Sequence, residues 1–321
     1  MRSRICEAEM TNDIAKEKRR LAWKRRLFIA SFITVPLLHF LIFTFYVNVE
    51  TFALSFQKFS NSEGRYVFVK FLNYEEFFKS FSSPGSVMGK AIVNSVLFFV
   101  VNDFVILPLA FISAFFMYKK MPLAGMFRVL FFLPSIISTV VLTMLFSFMF
   151  DSRIGIVDPF LRLIGLERVV PILGWFGDVK TAMPTVLIYC VWAGVGSNVI
   201  LISGAMSRIP TEMIEAGRLD GLGIFREMFV ITLPLTGSLM ATLMMMGVPV
   251  IFTLFLQPML LTNGGPDGAT YTIGLYIVNA IRTEGSLTTG ATIGVICAAV
   301  GTPIVVLLRK LVEKVFPAYE Y

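Results

Sequence analysis

Residues 215–235 read EAGRLDGLGIFREMFVITLPL. The first half of this stretch is charged and spaced by glycines, whereas the second half becomes apolar and contains a proline. Residues 211–219 are good helix formers, and Pro210 suits the start of a helix. The pair Asp220 and Gly221 is typical of a turn that ends a helix, because glycine adopts the left-handed conformation there. The pattern predicts a helix, a sharp turn and a second helix that continues into an apolar segment.

Composition indicates a lipid environment for the chain. Hydrophobic residues make up 56% of it, charged residues make up 15%, and the mean hydropathy is +0.78. A soluble chain carries about 25% charged residues, so this one lacks the polar side chains needed to cover itself in water. Three cysteines and one histidine, His39, are too few and too scattered for a disulfide framework, a metal site or a His-containing triad. We expect an integral membrane protein that is not an enzyme.

Six apolar segments are long enough to cross a bilayer as α-helices, which takes about 20 residues each. They lack the short alternating strands of a membrane barrel. The predicted fold is therefore an all-α membrane protein with six transmembrane helices. The segments are 27–47, 91–117, 127–150, 184–205, 230–256 and 287–308.

Lysine and arginine predict the orientation of these spans. Nine of them precede the first span, in a tail over residues 1–26. With this tail inside, the cytoplasmic segments carry 18 basic residues and the external segments carry 10, in agreement with the positive-inside rule. The tail is no signal peptide, because the apolar run after it is too long and no cleavage site follows. We predict a multi-pass protein of a prokaryotic cell membrane with both termini in the cytoplasm, and a tail that contacts lipid rather than nucleic acid.

The spans divide the chain into five parts. The external loop 48–90 contains a predicted interfacial helix, because Phe77, Phe78 and Phe81 share one helical face. The cytoplasmic loop over residues 206–229, which we call the elbow, connects spans four and five. The parts are a basic tail 1–26, the first span 27–47, the loop 48–90, a core 91–309 that includes the elbow, and a cytoplasmic tail 310–321.

Small and acidic residues alternate in the elbow. Ala216 and Gly217 lack bulk, so a partner surface can approach the backbone there. Glu215 and Asp220 are available to pair with a partner's arginine. The alternatives are an idle solvated loop and a DNA-reading helix-turn-helix. Acids outnumber bases in the elbow, which is unsuited to phosphate contact, so we reject the DNA alternative.

The elbow resembles the EAA loop of ABC-importer permeases. That motif reads Glu-Ala-Ala, three residues, Gly, nine residues, Ile, any residue, Leu-Pro. At the same spacing this chain has Glu215, Ala216, Gly217, Gly221, Ile231, Leu233 and Pro234. Only Gly217 departs from the motif, where it replaces Ala and lowers helix propensity by up to about 1 kcal/mol. In the family, this loop docks into a cleft on a separate ATPase subunit and transmits its closure to the membrane helices.

Further stretches resemble the carbohydrate branch of these permeases, which includes those for maltose and glycerol phosphate. They are TNGGPDGATYT at 262–272, Asn73-Tyr74, Asn94-Ser95, Ile209-Pro210 and Trp192. The resemblance covers roughly residues 65–310. It implies the type I importer fold, in which a core of about five helices is joined by an extra N-terminal helix. It also implies a second homologous permease subunit, two ATPase subunits and an external sugar-binding protein as partners.

The sequence contains no phosphate-binding loop. Such a loop has two glycines separated by four residues, followed by Lys and then Ser or Thr. The segment between Gly85 and Lys90 has three residues between its glycines, lacks the hydroxyl after its lysine, and is predicted to lie outside. We therefore expect no cofactor in this chain, and ATP and Mg to be used by the partner ATPase.

The resemblance implies a substrate path beside spans four and five, where the maltose member holds its sugar. Aromatic faces pack on sugar C–H groups, and amides or hydroxyls bind sugar hydroxyls. Packing between helices is the alternative role for each small residue. The candidates are Trp192, Gly194, Ser197, Asn198, Gly247, Thr253 and Gln257, together with Asp103, the charge inside span two. Asp103 belongs either to this path or to a satisfied structural hydrogen bond.

These observations favour the permease of a sugar or oligosaccharide importer. An importer permease for a non-sugar solute is the second hypothesis, because it would share the elbow and differ only in cargo. A stand-alone secondary transporter is the third. It would show inverted repeats or paired intramembrane carboxylates, which are not visible in the sequence.

Overall fold

The computed structural model describes residues 2–83, 85–282 and 285–315. The elements of the first half are α1 (Arg2–His39), α2 (Val47–Leu54), β1 (Gln57–Ser60), β2 (Arg65–Phe68), α3 (Leu72–Ser82), α4 (Val87–Val101), α5 (Leu107–Tyr118), α6 (Ala124–Ile136) and α7 (Thr139–Met149). Those of the second half are α8 (Val157–Leu163), α9 (Val179–Met206), α10 (Thr211–Leu219), α11 (Ile224–Glu227), α12 (Leu233–Leu235), α13 (Gly237–Gly247), α14 (Val250–Thr253), α15 (Leu256–Thr262), α16 (Ile273–Arg282) and α17 (Leu287–Val315). The end of the predicted cytoplasmic tail, from residue 316, lies outside the described residues.

The prediction of an all-α membrane protein is confirmed. Among the described residues, four helices are long and apolar enough to cross a membrane, and the number is six if each of two bent pairs is one span. The four are Lys18–Leu54, Val87–Tyr118, Val179–Met206 and Leu287–Val312. Each of the six predicted segments therefore corresponds to one long helix or to one bent pair.

The first span is part of a much longer helix. A π-helical turn, Phe40–Tyr46, joins α1 to α2, so the basic tail and the span form one continuous helix. The side chains of residues 18–50 are exposed. In the described residues, α2 packs against α17 and contacts strand β1. The predicted boundary at residue 27 therefore falls inside a helix, without a break in the backbone.

The span predicted over 127–150 consists of two helices, because α6 and α7 are bent by 108° relative to each other. Ile137 and Ser138 between them are extended, with ψ of 138° and 134°. Pro134 lies one turn before this break and contributes no backbone N–H to the end of α6. Pro134, Ser135, Ile137 and Thr139 around the bend line a cavity.

The fifth span is also bent and begins earlier than predicted. The elbow leads through α11, the π-helical turn Met228–Thr232 and α12 to a bend of 73° before α13. The helix ends at Thr253, and α15 starts separately at Leu256. Gln257, which we assigned to span five, therefore lies on α15, because Phe255 leaves helical geometry (φ −142°).

The segment after α2, predicted to be external, contains a β-hairpin that the sequence did not predict. Strands β1 and β2 are antiparallel, with Phe59 opposite Tyr66. Asn73 Nδ2 on α3 donates to the carbonyls of Ser55 (2.9 Å) and Gln57 (2.8 Å), which ties α3 to the hairpin. The predicted helix in this loop is confirmed as α3, and its location at the membrane interface remains a prediction.

The core lies where α5, α6 and α9 cross. Gly196 on α9 is buried, and a Cβ there would overlap the carbonyl oxygen of Phe131 on α6. The small residue thus allows two backbones to touch, as is usual between membrane helices. Leu107, Ala110 and Phe115 of α5 fill the adjoining apolar cluster.

Candidate functional site

The elbow is a helix, a turn and a second helix, as predicted. α10 follows Pro210, whose extended backbone (ψ 133°) precedes the first helical residue. α10 ends at Leu219, Asp220 caps it, and Gly221 has φ +77°, a conformation that L side chains rarely adopt. The Leu222 N–H donates to the Gly217 carbonyl at 3.0 Å, which closes the turn. The glycine of the motif therefore ends the helix and reverses the chain.

The prediction that Gly217 faces a partner is wrong, because Gly217 is buried inside the elbow. A Cβ at this position would lie 2.6 Å from Ile231 Cδ1 and 2.9 Å from Leu222 Cδ1. The small residue thus lets α10 pack closely on the helix that leads into span five. Gly217 and Ile231, both positions of the motif, therefore contact each other.

The exposed face of the elbow is acidic, small and apolar. Glu215, Ala216 and Asp220 are all exposed. Leu219 beside them is 90% exposed. Leu233 and Pro234 are only partly exposed, because they lie where the elbow enters the bundle. This face offers the groups on which docking would depend.

A buried charge at the base of the elbow was not identified from the sequence. Glu227 is 2% exposed, and its carboxylate forms an ion pair with Lys119 Nζ at the end of α5. Arg218 Nε on α10 lies 3.9 Å from the second carboxylate oxygen. Phe116 and Phe225 meet edge to face beside the pair, 6.3 Å between centroids. The elbow is therefore attached to span two as well as to span five.

An open cavity of about 420 Å³ lies between α4, α6, α7, α9 and α15. Three predicted substrate-path residues line it, namely Gly194, Ser197 and Gln257. Asn102, in the π-helical turn Asn102–Ile106 between α4 and α5, also lines it. The polar lining includes Asn102, Ser135, Thr139, Ser197 and Gln257. The cavity thus presents uncharged amides and hydroxyls on an apolar wall.

Three other predicted path residues do not line this cavity. Trp192 is 40% exposed and stacks on Phe146, with 5.9 Å between ring centroids. Asn198 Nδ2 donates to the carbonyl of Gly194 (3.0 Å), within its own helix. Thr253 lines a separate groove against α17. Spacing along a helix did not reveal these orientations, because they depend on how each helix is rotated in the bundle.

Asp103 and Gly247 form a contact between spans two and five. Asp103 is 4% exposed, and Asn102 Nδ2 donates to its Oδ1 at 2.9 Å. A Cβ on Gly247 would overlap this oxygen and lie 2.8 Å from Asn102 Nδ2. Gly247 therefore has a packing role, and the Asp103 carboxylate is hydrogen-bonded beside the cavity without lining it.

The loop 262–272 is bound to span two. Asn94 Nδ2 donates to the carbonyls of Ala269 (3.0 Å) and Tyr271 (2.8 Å). Lys90 Nζ donates to a further loop carbonyl at 2.8 Å. Two stretches that separately resemble the carbohydrate branch therefore form one structural unit at the end of the bundle away from the elbow.

Comparisons with known proteins identify transport permeases as relatives of this chain. Residues 106–316 match the family model described as binding-protein-dependent transport system inner membrane component. The probable ABC transporter permease protein YurN of Bacillus subtilis is 31% identical over 252 residues, which cover 78% of this chain and 84% of that protein. The diacetylchitobiose uptake system permease protein NgcF of Streptomyces coelicolor is 27% identical over 293 residues, covering 88% and 81%.

Solved structures show the same fold. A chain of a bacterial ABC transporter involved in the import of alginate superposes with a TM-score of 0.77 at 19% identity, covering 91% of this chain and 96% of that one. A chain of a bacterial alginate ABC transporter in complex with a periplasmic protein gives 0.78 at 18% identity, covering 92% and 98%. The protein therefore belongs to the family of inner membrane components of binding-protein-dependent transport systems.

Proposed function

We propose that this chain is a permease subunit of an ATP-driven importer for a sugar or oligosaccharide, and that residues 211–229 couple it to a separate ATPase. The proposal depends on which residues of the elbow are exposed and which are buried. Glu215 and Leu219 are exposed on one side of it, while Gly217 and Glu227 bind the other side to the bundle. A partner on the exposed face would therefore act on the spans directly.

The cargo assignment depends on the cavity and on the relatives. All its described lining residues are uncharged, and the amides of Asn102 and Gln257 can exchange hydrogen bonds with sugar hydroxyls. NgcF is named for diacetylchitobiose uptake and AraP of Halalkalibacterium halodurans for arabinooligosaccharide transport. A neutral non-sugar solute is the second candidate, because the apolar wall of the cavity would also accommodate it.

The partners follow from this function. A second homologous permease would complete the pore, in a heterodimer whose other subunit shares this fold. Two ATPase subunits would use ATP and Mg, and this chain would hold no cofactor. An extracellular or periplasmic binding protein would deliver the solute. The exposed apolar surface of residues 27–47 suits lipid and a second permease, and both termini would lie in the cytoplasm.

The elbow would act on an equilibrium between inward-open and outward-open states. Closure of the ATPase pair favours one state only by the difference in its contact energy with the two. A rigid elbow with buried attachments transmits such a difference, whereas a solvated loop would not.

The test replaces elbow residues and measures both association and transport. Glu215→Lys reverses an exposed charge, and Gly221→Pro is incompatible with φ +77°. We expect both variants to lose the copurifying ATPase or to lose ATP-dependent solute uptake. Matched controls outside the elbow are Glu167→Lys, an exposed acid after α8, and Gly165→Pro, because Gly165 has φ +78° and open space at its Cβ position. Full ATPase association and full uptake in both elbow variants would refute the coupling role.

A further inference from the structure

The Lys119–Glu227 pair is more deeply buried than the other ion pairs of the described residues. The side chains are 12% and 3% exposed, whereas both partners of the pairs Lys58–Glu76, Arg65–Glu63 and Lys90–Asp267 are exposed by 39% or more. Removing two charges from water costs free energy that only good geometry offsets. Such a contact resists movement of one helix past the other, because separating the two residues leaves each charge buried without its partner.

The pair joins elements that are distant in sequence. Lys119 caps the end of α5, the inner half of span two, and Glu227 is the last residue of α11. Lys119 Nζ also lies 5.6 Å from the ring centroid of Phe115, which holds the ammonium against α5. Arg218, at 3.9 Å, brings α10 to the same carboxylate. One carboxylate thus connects both halves of the elbow to span two.

A second contact joins the same two spans about 24 Å away, because 16 residues separate Asp103 from Lys119 and each adds about 1.5 Å along a helix. There Gly247 of span five touches Asp103 and Asn102 of span two. The elbow continues covalently into span five through α12 and α13. Spans two and five are therefore connected at two points, one at the base of the elbow and one beside the cavity. These two contacts restrict movement of one span relative to the other.

We propose that Lys119 and Glu227 are positioning residues that bind span two to the elbow, so that spans two and five move as one unit and change the shape of the cavity. Val101, Asn102 and Ile106 of span two line the cavity and would move with this unit. The inference rests on the proposed coupling role of the elbow and adds the route by which its movement reaches span two.

The experiment measures solute uptake per ATP hydrolysed by the complete transporter in lipid vesicles. Lys119→Met and Glu227→Gln each remove one charge of the pair. We expect the ATPase to remain bound and active while uptake per ATP falls by about five- to tenfold or more, in the range of a lost coupling free energy. The double variant should lose no more than either single variant, because the two residues form one link.

Two further variants separate coupling from folding. Lys119→Arg keeps both charges and should restore most of the uptake per ATP. Lys120→Met removes the neighbouring, exposed lysine and should leave the ratio unchanged. If a single variant does not fold, the combination of Lys119→Met with Glu227→Met, which leaves no buried charge, decides the matter. Wild-type uptake per ATP in that combination, or in the folded single variants, overturns the inference.

The outcome for the unaltered protein distinguishes this inference from the proposed function. If the unaltered chain copurifies with no ATPase and supports no ATP-dependent uptake, the proposed function itself is wrong. If it does both, and the variants above keep the normal ratio, only the role of Lys119 and Glu227 is wrong.

Discussion

Three glycines show how a single residue can serve different purposes in this protein. Gly221 is exposed and has φ +77°, so its role is conformational. Gly217 and Gly247 are buried at points where a Cβ would meet other side chains, so their role is close packing. The Asp-Gly turn was predictable because it depends on local backbone preference. The other two roles were not, because they depend on which side of a helix is turned inward.

The contact at Gly247 leads to a prediction about stability. Gly247→Ala places a Cβ onto Asp103 Oδ1, so we expect the free energy of unfolding to fall by about 1–3 kcal/mol. Gly204→Ala is the matched control, since no atom lies within 4 Å of its Cβ position on α9. The control should be neutral or stabilising by up to about 1 kcal/mol. Thermal unfolding of both variants in lipid nanodiscs measures the difference, and equal stability would contradict the close contact.

Among the secondary-structure elements, helix length was easier to predict than helix shape. Hydrophobic length identified all six segments, because crossing a bilayer requires a minimum number of apolar residues. The 108° bend at residues 137–138 and the 73° bend before α13 were not predicted. Prolines mark several spans, and membrane helices tolerate them where neighbours satisfy the backbone. Whether a proline bends a helix therefore depends on the neighbours.

The loop 262–272 provides a prediction for one element. Asn94→Leu removes hydrogen bonds to the carbonyls of Ala269 and Tyr271. Two bonds contribute about 1 kcal/mol each, so amide hydrogen exchange in residues 264–272 should become at least about tenfold faster. Asn198→Leu is the control, because Asn198 bonds only within its own helix. Unchanged exchange after Asn94→Leu would show that the loop is held by other contacts.

The whole molecule combines an exposed N-terminal helix with a packed bundle that carries the elbow and the cavity. The elbow and the cavity share span two, which runs from its contact with the loop 262–272, past Asp103, to Lys119. The orientation of this arrangement in the membrane is predicted from basic residues alone. Docking of a cytoplasmic ATPase requires the elbow to lie inside.

The orientation can be tested with single cysteines. In a chain whose Cys6, Cys190 and Cys297 are replaced by serine, Asp267→Cys should react with a membrane-impermeant thiol reagent in intact cells. Gly223→Cys, in the exposed turn of the elbow, should react only after the membrane is opened. Mass spectrometry of the labelled protein measures both. Labelling of the elbow from outside would invert the topology and exclude the coupling role.

The sequence by itself determined the properties that depend on residues close together along the chain. They include the lipid environment, the six apolar segments, the helix and turn at Gly221, and the spacing shared with the EAA loop. Tertiary structure alone decided which candidates meet at the cavity, that Gly217 faces inward, and that Glu227 pairs with Lys119, 108 residues away. The physical reason is that apolar length and turn preference are local, whereas the partner of a side chain depends on how each helix rotates and crosses its neighbours.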